Sequence, residues 1–173
     1  YVKGVWKASS DSKIANNIQQ LDKEAEVFKP IDSNEWEIVL NEIFEKNTIN
    51  GSKITVQKMR PLLFHFYALN QIQGPGNMFK IDIDHIIPGS LFNKSTLDNK
   101  DSIKDNILNL GFLPKDDNIS KSNKRLSEIK HNQWLVDQVI KYEFIELNDF
   151  NKYSNINNYE EMFKFRKEIF KEA

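Results

Sequence analysis

The sequence contains no cysteine. Disulfides, thiolate metal ligands and every zinc finger or zinc ribbon are therefore excluded, and His, Asp, Glu and Asn remain as the side chains able to hold a metal. Arginine is scarce too: Arg60, Arg125 and Arg166 are the only three, so lysine supplies most of the positive charge. No apolar run approaches the roughly 20 residues a spanning helix needs, and the N-terminus lacks the basic-then-apolar order of a secretory signal. A soluble, intracellular protein with no membrane partner is expected. The lysine bias, with abundant Asn and Ile, suggests an AT-rich bacterial genome and hence a bacterial cytoplasm. An excess of either charge is also missing. With 24 basic against 25 acidic residues and a net charge of -1, the chain is not built to grip nucleic acid along its whole surface. Local basic patches remain open.

What is present suits a globular unit. A chain of 173 residues can bury roughly 70% of its unfolded surface in a single core. It begins at Tyr1 rather than methionine, and a processed or excised part of a longer protein is expected. No internal repeat or long low-complexity stretch divides it, so periodicity and helix breakers must.

Ile14, Ile18, Leu21 and Ala25 fall on one helical face, which Pro30 ends. Asp32 and Glu35 offer a capping box for a second helix, where Trp36, Val39, Leu40, Ile43 and Phe44 keep helical spacing up to Asn50-Gly51. Pro61 suits the first turn of a third helix, whose run from Leu62 to Leu69 is apolar nearly all round and should be buried, with His65 a satisfied core histidine. Gly74-Pro75-Gly76 marks a boundary. Beyond it, Phe79 to Asp84 alternates apolar and acidic residues as a half-buried strand does, and Pro88 closes it. Residues 92–106 read as a surface loop with room for one short helix, 107–113 as a second strand ended by Pro114, and Asn118 to Lys124 as a helix capped by Asp116 and Asp117. His131 is expected at the surface. The last third returns to helices, with Trp134, Leu135, Val139 and Ile140 on one face and Tyr159, Met162, Phe163, Phe165, Ile169 and Phe170 on another. The expected class is mostly helical α+β. A helical part over 1–76 precedes a strand, strand, helix core over 77–130, and helices over 131–173 pack on it as one compact unit.

Chemistry concentrates between Asp82 and Lys124. Asp84 and His85 are adjacent at a strand end, where neighbouring side chains face opposite ways unless the chain bends, as Pro88-Gly89 permits. A carboxylate suits a hard divalent cation such as Mg²⁺, and an imidazole suits proton abstraction from water. Together they suggest metal-assisted hydrolysis. The carboxamides of Asn109 and Asn118 can complete a metal site without adding charge. Lys121, Lys124 and Arg125 recur at spacings that would share a helix face able to meet phosphate, although a solvated surface is the plainer reading of such a strip taken by itself.

The order Asp82-Ile83-Asp84-His85-Ile86-Ile87-Pro88, then Asn109, then Asn118-Ile119-Ser120-Lys121-Ser122-Asn123-Lys124 resembles the HNH nucleases, in an H-N-N variant. The first run is similar to the HNH domains of CRISPR effector nucleases. The Asn109-Leu110 strand and the helix after it are closer to the C-terminal nuclease domain of GmrSD-like, modification-dependent type IV restriction enzymes. The resemblance covers about residues 79–125 and implies a small ββα-metal core of two short antiparallel strands and a helix. It makes His85 the general base, Asp84 and Asn118 the ligands of Mg²⁺ or Mn²⁺, and Asn109 the residue that holds the His-bearing loop. It sets Lys121 toward phosphate, with Lys124 and Arg125 beside it, and leaves Asp82 to orient a metal-bound water or His85. Many relatives staple this core with zinc-binding Cys pairs; with none here, helix packing must replace them.

The resemblance also implies DNA as substrate, a role in restriction or phage defence, and an N-terminal nucleotide-hydrolysing domain or partner subunit outside this chain. Two rivals are a ββα module that binds nucleic acid or protein without turnover, and an all-helical interaction domain carrying a chance motif.

Overall fold

The computed structural model describes residues 33–49, 51–69 and 80–172. The helix expected over Ile14 to Ala25 and the boundary at Gly74-Pro75-Gly76 lie outside them. Helix α1 (Ser33–Lys46) ends where Asn47 turns with φ of 52°. A two-residue hairpin of β1 (Thr48–Ile49) and β2 (Ser52–Lys53), absent from the sequence reading, leads to α2 (Val56–Leu69). That helix starts before Pro61, so the proline sits inside it on an exposed face. His65 is exposed as well. The helix therefore buries only one side, through Met59, Leu62, Leu63, Phe66 and Tyr67.

The centre of the molecule is an antiparallel pair, β3 (Ile81–His85) and β4 (Leu110–Pro114), in which Asp84 faces Gly111 and His85 faces Leu110. Between them the expected loop holds two short helices, α3 (Gly89–Lys94) and α4 (Lys100–Lys104), then a 3-10 turn, Ile107–Asn109. Asn109 thus precedes the second strand instead of lying in it. Helix α5 (Lys115–Lys121) starts directly after Pro114 and stops at Ser122, whose φ of 47° breaks the spiral. Asp116 and Asp117 lie inside its first turn, where acidic groups favour the helix dipole, instead of capping it from outside.

Helices α6 (Gln133–Glu143), α7 (Phe150–Tyr153) and α8 (Tyr159–Glu172) complete the chain. Among the described residues no helix is long and apolar enough to cross a membrane. The whole is mostly helical α+β.

Two apolar clusters meet at β4. Leu110 and Phe112 join α1, α2, Tyr142 and Phe170, while Leu113 joins Ile86, Ile87, Phe92, Leu135, Val139 and Phe150. Burial on both faces explains why 107–113 is apolar without alternation. The N-terminal helices, the strands and the last helix thus share a core, the support expected where cysteine is missing. Helix α8 presents its faces differently from the apolar pattern: Phe165 is 37% exposed and Arg166 is buried. The Arg166 guanidinium lies over Phe170 and donates to the backbone oxygens of Leu110, at 2.7 Å, and Glu143. It closes the carbonyl end of α6. Burial pushes its pKa down to about 10, against the pull of Tyr67 and Glu143.

Candidate active site

Asp84 is 5% exposed, so the acids of β3 do not all face solvent as the alternating pattern suggested. Its carboxylate receives the Lys121 ammonium from α5, which also donates to the backbone oxygens of His85 at 3.0 Å and Ile86 at 3.5 Å. Lys121 is wholly buried. The assignment of Lys121 to phosphate is therefore corrected: its charge is taken up inside the protein, since a buried ammonium must be paired.

A third group completes the cluster. Glu143, at the end of α6, brings Oε1 to 3.5 Å from Lys121 Nζ. It comes so near β4 because residue 111 is glycine, where a Cβ would stand 2.7 Å from Glu143 Cγ. Both Glu143 carboxyl oxygens are buried without a hydrogen bond, so the lysine contact is a charge contact lacking donor alignment. Burial drives the Glu143 carboxyl well above the usual glutamate range; Lys121 opposes the shift and Asp84 adds to it. Burial pulls the Lys121 ammonium down, but Asp84 and Glu143 outweigh it and hold the group above the ordinary lysine value.

His85 has different company. Its Nε2 lies 3.2 Å from Oδ1 of Asp105, at the end of α4, with the side chains 30% and 24% exposed. A carboxylate only accepts, so Nε2 carries the proton between them, and in the neutral ring Nδ1 is the acceptor. Lys104 Nζ stands 4.0 Å from the same carboxylate oxygen. Asp82, offered as the acid orienting His85, does not hold that position. Residues three apart on a strand face opposite sides, and Asp105 fills the role.

Asn109 is fully buried and committed. Its Oδ1 accepts from the Ile87 N–H at 3.0 Å, and its Nδ2 donates to the Ile87 and Lys104 carbonyls at 3.2 and 2.9 Å. Its own carbonyl accepts from the Ile86 N–H at 2.9 Å. One carboxamide therefore fastens the loop after His85 and the backbone before Asp105. Asn109 positions; it does not reach outward.

Asn118 is half-buried on α5, one turn before Lys121 and so on the same helix face. Asp84 and Asn118 are hard oxygen donors suited to Mg²⁺ or Mn²⁺. Among the described residues no group of three or more His, Cys, Asp or Glu could hold a metal. A cation at Asp84 would therefore rest on two protein donors, with water and phosphate as the rest, which is how Mg²⁺ commonly binds. The two donors have the right chemistry, but Asp84 is nearly closed and Lys121 already lies on one of its oxygens.

Lys124 and Arg125 do not extend a basic helix face, because α5 ends at Lys121. Lys124 is exposed and donates to the Ser120 carbonyl at 2.9 Å. Arg125 lines a cavity of about 490 Å³ with Ser127, Asn151 and Asn155.

Asp105 was hidden in a stretch that reads as loop, and Glu143 as an ordinary polar helix end. Gly111 carried a usable signal, since a glycine inside an apolar strand marks close approach of another chain segment. No family model matches the chain, and no curated protein or solved structure matches it either.

Proposed function

We propose that the chain is a metal-dependent DNA endonuclease domain of the HNH type, hydrolysing phosphodiester bonds. The observation that carries this reading is the Asn109 carboxamide. It pins the loop next to His85, within a strand, strand, helix unit whose helix bears Asn118 and packs on both strands. A buried polar side chain spent wholly on the backbone after His85 and before Asp105 argues that the position of both matters.

In this reading Asp105 holds the His85 Nε2–H, and Nδ1 takes a proton from a water beside the scissile phosphate. The hydroxide so formed attacks phosphorus, the bond to the 3′-oxygen breaks, that oxygen takes a proton from water, and the products are a 5′-phosphate and a 3′-hydroxyl. Asp84 and Asn118 would hold the Mg²⁺ or Mn²⁺, which when bound neutralises charge on the phosphate and the leaving oxygen. With Lys121 buried and α5 ending before Lys124 and Arg125, the basic helix face expected to clamp DNA is not formed. Targeting then falls to an N-terminal nucleotide-hydrolysing domain or partner subunit, in a bacterial cytoplasmic restriction or phage-defence system.

The test is plasmid nicking with Mg²⁺ varied. His85→Ala should abolish nicking, and cleavage at the parental rate would remove His85 from the mechanism. The Asp84–Lys121 pair favours a second reading, a ββα module that binds nucleic acid without turnover. That reading predicts DNA binding with no nicking at any Mg²⁺ or Mn²⁺ concentration.

A further inference from the structure

We infer that the cavity between α3, the 3-10 turn Leu126–Glu128 and α7 is a binding site for a phosphate monoester carried on a sugar. Arg125 and Ser127 would take the phosphate, and Asn151 and Asn155 the sugar hydroxyls. The inference needs no metal and no hydrolysis, and so stands apart from the proposed nuclease chemistry.

The lining selects the ligand. The cavity measures about 490 Å³, within the roughly 300 to 1,000 Å³ of small-molecule sites. Among the described residues Arg125 is its only charged lining group and no acid faces it there, so the cavity favours an anion. A guanidinium presents its donors in a planar fork, which matches two oxygens of a phosphate. Ser127 adds a hydroxyl, Asn151 a donor and an acceptor, and Asn155 a donor, the groups that a sugar hydroxyl pairs with. Leu91 and Ile156 supply an apolar wall for the sugar's carbon face. No aromatic ring is among the described lining residues, so the recognised body is the sugar and not a stacked base.

The same groups are held in place beforehand. Ser154 Oγ accepts from the Ser127 N–H at 2.7 Å and donates to the Phe150 carbonyl at 2.6 Å, which fastens the turn to α7. Asn155 Oδ1 accepts from the Asn157 N–H at 3.1 Å, which leaves Nδ2 to donate elsewhere. Glu128 spends its carboxylate on the Arg125 N–H, at 2.6 Å, and not on the guanidinium. Arg60 and Arg166, the other two arginines, give their guanidinium groups to backbone carbonyls of β3 and β4. Among the described residues Arg125 is in no ion pair. A site already ordered and not occupied by a protein carboxylate loses little on binding.

The test is calorimetric titration of the whole protein, without metal or DNA, with ribose 5-phosphate, ribose and inorganic phosphate. Ribose 5-phosphate should bind about tenfold or more tighter than either part alone. Arg125→Gln should weaken it about tenfold or more, and Arg125→Lys, which keeps the charge and loses the fork, should recover only part of that. Asn151→Ala should weaken ribose 5-phosphate and leave inorganic phosphate unchanged. Arg125 and Asn151 are exposed, so the variants should fold, and thermal melts check this. Parental affinity in Arg125→Gln, equal binding of ribose and ribose 5-phosphate, or no binding of any of the three at millimolar concentration overturns the inference.

Two more probes separate the sources of such a ligand. A 5′-phosphorylated oligonucleotide that binds more tightly than both its 5′-hydroxyl counterpart and ribose 5-phosphate would support the inference with a DNA strand end as occupant. Ribose 5-phosphate binding with no difference between the two oligonucleotides would support it with a free sugar phosphate. Loss of plasmid nicking alone would sink the nuclease reading and leave this site standing.

Discussion

Asp84 and His85 are neighbours on one strand, and each meets a group of opposite character, yet their surroundings differ. Asp84 is 5% exposed and faces Lys121 and Glu143, both fully buried. His85 and Asp105 are roughly a quarter to a third exposed. Water screens the second pair, so its contact contributes little to stability but leaves the imidazole reachable by solvent. The first pair lies where an unmatched charge is severe, so it ties β3, α5 and α6 together. Two contacts that look alike on paper thus differ: one holds the fold, and the other leaves an imidazole open to solvent.

The sharpest way to break the comparison is Lys121→Met. It leaves Asp84 and Glu143 buried together with no cation, and should cost about 3 to 5 kcal/mol in urea unfolding. A loss below about 1 kcal/mol would mean that the cluster is not structural. Gly111→Ala attacks the same side without touching charge, by driving a Cβ into Glu143 Cγ. Overpacking of this kind should cost about 1 to 3 kcal/mol.

The closed side continues through Tyr67, whose hydroxyl accepts from the Phe112 N–H at 3.1 Å and donates to the Tyr142 carbonyl. Tyr67→Phe strands both backbone partners, and about 1 to 3 kcal/mol should be lost. Burial raises the Tyr67 pKa above its usual value, so the folded protein holds that proton more tightly than the unfolded chain. This share of stability is complete below the ordinary tyrosine range, near pH 10, and drains as pH rises above it. Melts across that range should show a steeper alkaline loss in the parent than in Tyr67→Phe.

The difference between the two sides also decides what a sequence reader could see. Helix α1 and the packing of Leu135 and Val139 follow from periodicity, because apolar residues sort themselves by face, while the second strand follows from a short apolar run ended by proline. Asn109 and His85 stood out because few residue types can do their chemistry. Periodicity failed wherever a polar group was buried with a distant partner. Lys121 read as facing phosphate or solvent and Arg166 only as one of three arginines, yet their partners come from other elements and bury them. The reverse error occurred at Trp134, which is 65% exposed while its indole N–H donates to Asp117 at 2.9 Å, tying α6 to α5. Asp105 was hidden because helix α4 is a single turn with no apolar stripe to announce it.

The open side is sharpened most by Asp105→Asn, which keeps the size of the side chain and removes its charge. Because the pair is solvent-exposed, thermal stability should change by less than about 1 kcal/mol. The amide can turn either its oxygen or its nitrogen toward Nε2, and in the second case the ring must carry its proton on Nδ1, where the base is needed. If His85 is the base of the proposed hydrolysis, nicking should fall about tenfold or more in kcat with KM nearly unchanged, because the loss would be in proton transfer and not in DNA binding. Asp105→Glu, which restores the charge at a longer reach, should recover part of the rate. A variant as fast as the parent would leave His85 held by the Asn109-fastened loop alone, and would return Asp105 to an ordinary surface acid at the end of α4.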